Sequence, residues 1–177
     1  RTLTPQEVIG NPERDDFPLL RGKEVMIQAD FKGSIGQAFT DMPGNYSGTL
    51  REVFEMPLTN NFRRAVFVAT VNAVLRHLNL VSNTIHCRDK EPGECADHLK
   101  NYIKERFGQT RIAFIGLQPA MVEALSAHFE IRVADLNPDN IGRKKCGVII
   151  EDISLTKEIL SWGDIILATG TTVVNNT

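Results

Sequence analysis

Three groups of residues carry types and spacings that could do chemistry. Thr169-Gly170-Thr171-Thr172 sets three hydroxyls and a glycine directly after an apolar run. Free backbone amides and short side-chain donors of this kind suit an anion; the competing reading is helix capping by Thr171 or Thr172. Gly116 and Asp135 lie 19 residues apart, about the separation at which dinucleotide-binding folds place the acid that holds a ribose hydroxyl. The turn Gly116-Leu117-Gln118-Pro119-Ala120 has one glycine where that fingerprint has three, and Pro119 removes an amide, so tight pyrophosphate binding is disfavoured. The plainer alternative makes Gly116 a turn residue and Asp135 a solvated loop acid. The third group is His86, Cys87, Cys95 and His98, with thiols and imidazoles that suit a soft or borderline transition metal. Its spacing is not that of a zinc finger, and Cys95 is also in helical register with Leu99 and Tyr102, which fits burial as well as ligation. The sequence contains no nucleophile elbow, complete phosphate-binding loop, HExxH or repeated CxxC.

Two kinds of element must position these groups. Up to about residue 107 the pattern is α+β. Thr4 and Pro5 start a helix; residues 25–31 and 34–40 form a hairpin about Lys32-Gly33; residues 49–56 form a short helix ended by Pro57. Residues 62–78, capped by Asn60 or Asn61, are apolar on nearly every face and read as a buried central helix. Residues 94–107 form another helix, with Leu99, Tyr102, Ile103 and Phe107 inside and Gly108 as its stop. Beyond Gly108, strands at 111–116, 131–135, 147–151 and 164–168 alternate with helices opened by Pro119 and Ser154. Continuous apolar strands separated by helices indicate a parallel sheet covered on both faces. In such a sheet ligands sit beyond the carboxyl ends of the strands, here at Gly116, Asp135, Glu151 with Asp152, and Thr169.

Composition narrows the function further. The 177 residues carry 20 Lys and Arg against 22 Asp and Glu, a formal charge of −2. That balance argues against a nucleic-acid or anionic-membrane binder. No apolar stretch is long enough to span a bilayer. Cys87, Cys95 and Cys146 are odd in number in a chain without a signal-peptide pattern, so reduced thiols and a cytoplasmic location are expected. The chain starts at Arg1 and stops soon after an apolar strand, which reads as a fragment with an incomplete second domain.

The helix ending VNAVL, the strand and turn IAFIGLQP, the acid-ended strand VADLNP and the terminal DIILATGTTVVNNT together resemble the heavy-metal chelation family, a group of uncharacterised bacterial and archaeal proteins. The resemblance implies an N-terminal domain similar to that of enolase, over residues 1–107, and a Rossmann-like α/β domain over residues 108–177, with the active site between them. Carried over by position, the implied ligand-binding residues are Gly116, Leu117, Gln118, Asp135, Thr169, Gly170, Thr171 and Thr172.

The expectation from sequence is thus a two-domain protein binding a small anionic or metal-chelating ligand in the interdomain cleft, with the Thr171 hydroxyl exposed to it. The associated cofactor would be a transition metal or a metal-chelating small molecule. An enzyme of chelator synthesis or handling fits, but no residue set fixes a reaction, so enzymatic character stays open. One alternative is a nonenzymatic metal-binding or metal-sensing module using His86, Cys87, Cys95 and His98. Another is a nucleotide- or S-adenosylmethionine-dependent transferase in which Asp135 holds the ribose. The partners are a small molecule and, compatibly, further copies of the chain.

Overall fold

The computed structural model describes residues 1–12 and 15–176. The chain is an α/β protein that divides into two compact units, residues 1–89 with 173–177, and residues 90–172. Sequence placed the division at Gly108; the helix before that glycine packs within the second unit, through Ile103 and Leu99, and moves the division to residue 90.

In the first unit, β1 (Thr2–Leu3), β2 (Val25–Phe31) and β3 (Ser34–Thr40) form an antiparallel sheet in that order. The hairpin turns at Lys32 and Gly33, both with positive φ, and the Gly33 N–H donates to Asp30 Oδ1 at 2.8 Å. Met26 and Ile27 point to opposite faces, as strand alternation requires. Met26 joins a cluster with Leu3, Val8, Ile9, Phe17 and Leu19, contributed in part by α1 (Pro5–Ile9) and α2 (Pro18–Arg21). Thr4 and Glu7 close a capping box at the start of α1, and Thr49 and Glu52 do the same for α3 (Leu50–Phe54). Ile27 faces α4 (Asn61–His77). Asn60 caps α4, accepting from the Arg63 N–H at 2.9 Å.

Only one stripe of α4 is fully inside. Ala65, Ala69 and Ala73 each have no exposed surface, and their four-residue spacing places them on one face. Small residues let the helix lie close on β3: a Cβ at Gly36 would meet the Ala69 carbonyl and the Ala73 nitrogen at 2.3 Å. The helix expected to be the buried central one is thus laid on a sheet, with one alanine stripe fully inside.

In the second unit the sheet order is β6-β7-β5-β4-β8. β4 (Arg111–Ile115), β5 (Glu130–Asp135), β7 (Val148–Asp152) and β8 (Ile165–Ala168) run parallel, as their apolar sequences require. β6 (Lys144–Lys145) adds an antiparallel edge, folded back by Cys146 and Gly147 at positive φ. Ile112 and Phe114 of β4 face α5 (Glu91–Phe107) and α6 (Pro119–Ser126), with Ile103, Val122 and Leu125. Ala113 and Ile115 face Ile159 of α7 (Thr156–Trp162). Within α5 the inner stripe is Ala96, Leu99 and Ile103; Tyr102 and Phe107, 59% and 51% exposed, lie outside it and pack edge to face on each other. Ser154 does not cap α7. Asp152 instead accepts from the Ser154 N–H at 2.8 Å, and a short 3-10 turn (Ile153–Leu155) leads into the helix. None of the three cysteines forms a disulfide, and among the described residues no helix is long and apolar enough to cross a membrane.

Candidate functional site

The strand order fixes where a site can form in the second unit. From β4 the chain winds outward through β5 to β7, then returns to pair β8 with the other side of β4. The reversal opens a crevice beyond the carboxyl ends of β4 and β8, where ligands sit in open parallel sheets. The residues flanking it are Gly116, after β4, and Thr169, after β8.

These two touch. A Cβ at Gly116 would lie 2.5 Å from Thr169 Oγ1 and 2.9 Å from its Cγ2, and Gly116 has φ +89°, so glycine is required there by both conformation and space. The Thr169 N–H donates to the Ile115 carbonyl at 3.0 Å. Thr169 Oγ1 and Thr171 Oγ1 share a 2.6 Å hydrogen bond, and Thr172 Oγ1 donates to the Thr169 carbonyl at 2.7 Å. The TGTT segment starts α8 (Gly170–Asn175); the Thr172 N–H donates to the Thr169 carbonyl at 3.0 Å, which leaves the Gly170 and Thr171 amides as the helix-end donors. Thr171 is buried, at 9% exposure, which corrects the expectation of an exposed hydroxyl. Gly170 is exposed, with nothing within 4 Å of where its Cβ would stand. Thr177, the last residue of the TGTTVVNNT motif, lies outside the described residues.

On the facing side, Gln118 occupies the N-cap position of α6 and makes no side-chain cap. The Leu117 N–H is already committed: it donates to Asp135 Oδ2 at 2.8 Å. Asp135 Oδ1 accepts from the Asn137 N–H at 2.8 Å and from Asn140 Nδ2 at 2.9 Å. Asn140 is oriented in turn by Lys145 Nζ on its Oδ1 at 2.6 Å. Three of the roughly four acceptor positions of the Asp135 carboxylate are therefore occupied by the protein itself. The acid fastens the β4 turn to the loop after β5, with about one acceptor position left over. The other strand-end acids are also engaged. Glu151 forms a two-pronged ion pair with Arg132, at 2.8 and 2.5 Å. Asp152 is held below the usual carboxylate range by hydrogen bonds from the side chain and N–H of Ser154.

Of the eight residues expected to bind ligand, the structure thus brings Gly116 and the TGTT segment together and gives Asp135 and the Leu117 amide to each other. Sequence spacing did not reveal Asn137 and Asn140 as the other partners of Asp135; the signal was the short Asx-rich run after a strand-ending acid. The His and Cys residues are placed differently. His86 and Cys87 belong to the first unit, where His86 Nδ1 lies 2.6 Å from the Cys87 carbonyl oxygen and the His86 ring packs edge to face on Phe39. Cys95 and His98 stand on α5 of the second unit, half-buried and exposed. Among the described residues, no three His, Cys, Asp or Glu side chains are grouped so as to hold a metal ion.

Residues 101–177 match a protein family, DUF364, whose description reads "Putative heavy-metal chelation". The crystal structure of a protein of unknown function from the same family, from Pyrococcus horikoshii, aligns with 88% of this chain at a TM-score of 0.59 and 20% identity. That likeness establishes the fold, and the chain spans 61% of the length of that protein. No curated protein shows significant similarity to the chain.

Proposed function

We propose, from the match of residues 101–177 to the DUF364 family model, that the carboxyl edge of the second unit's sheet binds a small anionic or metal-chelating ligand at the crevice between β4 and β8. The observation that supports it best is the contact of Gly116 with Thr169, which draws the start of α8 against the β4 turn. On this reading the Gly170 and Thr171 amides and the side chain of Gln118 are the groups that meet the ligand. Helix N-termini favour negative charge there. A metal would arrive held by the ligand, since the described residues offer no group of three side chains to hold it. The family's description as heavy-metal chelation fits a ligand such as a polycarboxylate or its metal complex. The Rossmann-like character of this unit and the enolase-like character of the first are part of the same proposal, supported by the parallel order of β7, β5, β4 and β8 and by the hairpin packed on α4.

Calorimetric titration with citrate and ferric citrate tests the site, using two variants at Gly170. The open space around this residue admits a side chain without a clash. Gly170→Ala is expected to bind like the parent. Gly170→Asp, which puts a negative charge at the start of α8, is expected to weaken both probes about tenfold or more. Equal affinity in the two variants, or no binding of either probe to the parent, rejects the proposal.

A further inference from the structure

The first unit contains a cavity of about 330 Å³ beside the edge of β3, between α4 and the segment 81–86. Its walls are fixed by hydrogen bonds made within the unit. The segment is tied to the strand by the Gln37 N–H donating to the Thr84 carbonyl at 3.0 Å and by Thr84 Oγ1 donating to the Ile35 carbonyl at 2.6 Å. Gln37, itself 9% exposed, has its carboxamide held on both sides: Nε2 donates to Gln28 Oε1 at 3.0 Å, and Oε1 accepts from the His86 N–H at 2.8 Å. Asn72 of α4 is oriented by its Nδ2 donating to the Gln37 carbonyl at 3.0 Å. That bond uses one of the four hydrogen-bonding positions of the Asn72 side chain and leaves acceptor and donor capacity beside the cavity.

Two further properties restrict the occupant. No Asp, Glu, Lys or Arg is among the lining residues, and the nearby Arg76 guanidinium is engaged with the lining residue Thr84, its Nη1 donating to Thr84 Oγ1 at 3.2 Å, so a neutral occupant fits better than a phosphate or carboxylate. Phe39 and His86, both lining residues, pack with ring centroids 5.2 Å apart at 84°, which puts aromatic surface into the lining. The volume falls at the lower end of the range for small-molecule sites, about 300–1,000 Å³.

We propose that this cavity binds a neutral planar heterocycle carrying adjacent donor and acceptor groups, the chemistry of a nucleobase. Carboxamides recognise such edges because their own donor and acceptor are adjacent and coplanar, and aromatic side chains recognise their faces. This inference concerns the first unit and is independent of the anion site proposed for the second.

Nitrogen-15 heteronuclear spectra of the whole chain, titrated to millimolar concentration with adenosine, uridine or glucose, test it. Saturable shifts with a nucleoside are expected at the amides of Gln37, Asn72 and residues 82–86, with none from glucose. Ser82→Trp, at an exposed position on the cavity wall, fills the space and is expected to weaken nucleoside binding about tenfold or more with the unfolding midpoint unchanged. Asn72→Leu should do the same by removing the pairing edge; if it fails to fold, Ser82→Trp decides alone. The proposal is overturned if neither nucleoside gives a saturable shift, if glucose alone binds, if the shifts map elsewhere, or if Ser82→Trp binds as the parent does.

Discussion

Replacing Asp135 by alanine distinguishes a structural acid from one that waits for a ligand. The carboxylate accepts three hydrogen bonds, from the Leu117 N–H, the Asn137 N–H and Asn140 Nδ2. Leu117 is 8% exposed, so its amide would be left without a partner away from water, at a cost of about 1–3 kcal/mol. Asn137 is exposed and Asn140 half-buried; water replaces much of what they lose, and together they add roughly 1 kcal/mol. The sum is about 2–4 kcal/mol. Urea denaturation followed by Trp162 fluorescence measures it, because this is the single tryptophan and it reports on the second unit, with the Arg111 and Arg132 guanidiniums 5.7 and 5.8 Å from its ring. With a slope of about 2 kcal/mol per molar urea, the midpoint should fall by roughly 1–2 M. Asp135→Asn should lie in between, since a carboxamide oxygen still accepts from Leu117 but without the charge. A midpoint within about 0.2 M of the parent's, on the same slope, would refute the structural role and return Asp135 to the list of ligand-binding acids.

Other outcomes follow from the same geometry. Gly116→Ala should destabilise by about 2–4 kcal/mol, combining a left-handed backbone with overlap on Thr169; a loss under about 1 kcal/mol by urea denaturation would mean the strand ends separate easily. Thr171→Val should cost about 1–2 kcal/mol, because the buried hydroxyl is the partner of Thr169, and thermal unfolding would expose a smaller effect. Hydrogen bonds from the Arg111 side chain and N–H hold the Asp164 carboxyl down at about 2, against an ordinary 3.8. Its contribution is therefore fully present above about pH 4 and is lost as pH falls toward 2; a carboxyl-carbon NMR titration with a midpoint near 3.8 would contradict the pair. Thiol titration of denatured, unreduced protein should find Cys87, Cys95 and Cys146 all reactive, three equivalents per chain, and a single equivalent would show a disulfide.

Local sequence was sufficient wherever the decisive interactions are local. The Thr4-to-Glu7 capping box, the Asn60 cap, the turn at Lys32-Gly33 and the parallel strands of the second unit all depend on neighbouring residues or on the apolar period of a segment, and those are written in order along the chain. β6 escaped that reading because two lysines have no apolar pattern; they form a strand only because Cys146 and Gly147 reverse the chain onto β7. The membership of α5 in the second unit was also hidden, since Gly108 ends the helix whichever body it packs on, and only the fit of Ile103 among Ile112, Val122 and Leu125 decides. At the candidate site, sequence named Gly116 and the TGTT segment from their positions at strand ends. It could not tell a ligand-binding acid from a fastening one, because spacing along the chain says nothing about which donors surround a carboxylate in space. That Asp135 is surrounded by an amide from the β4 turn and by two asparagines, while Gly116 lies against Thr169 from the far side of β4, was decided by tertiary structure alone, through the strand order that makes residues 53 apart in sequence neighbours.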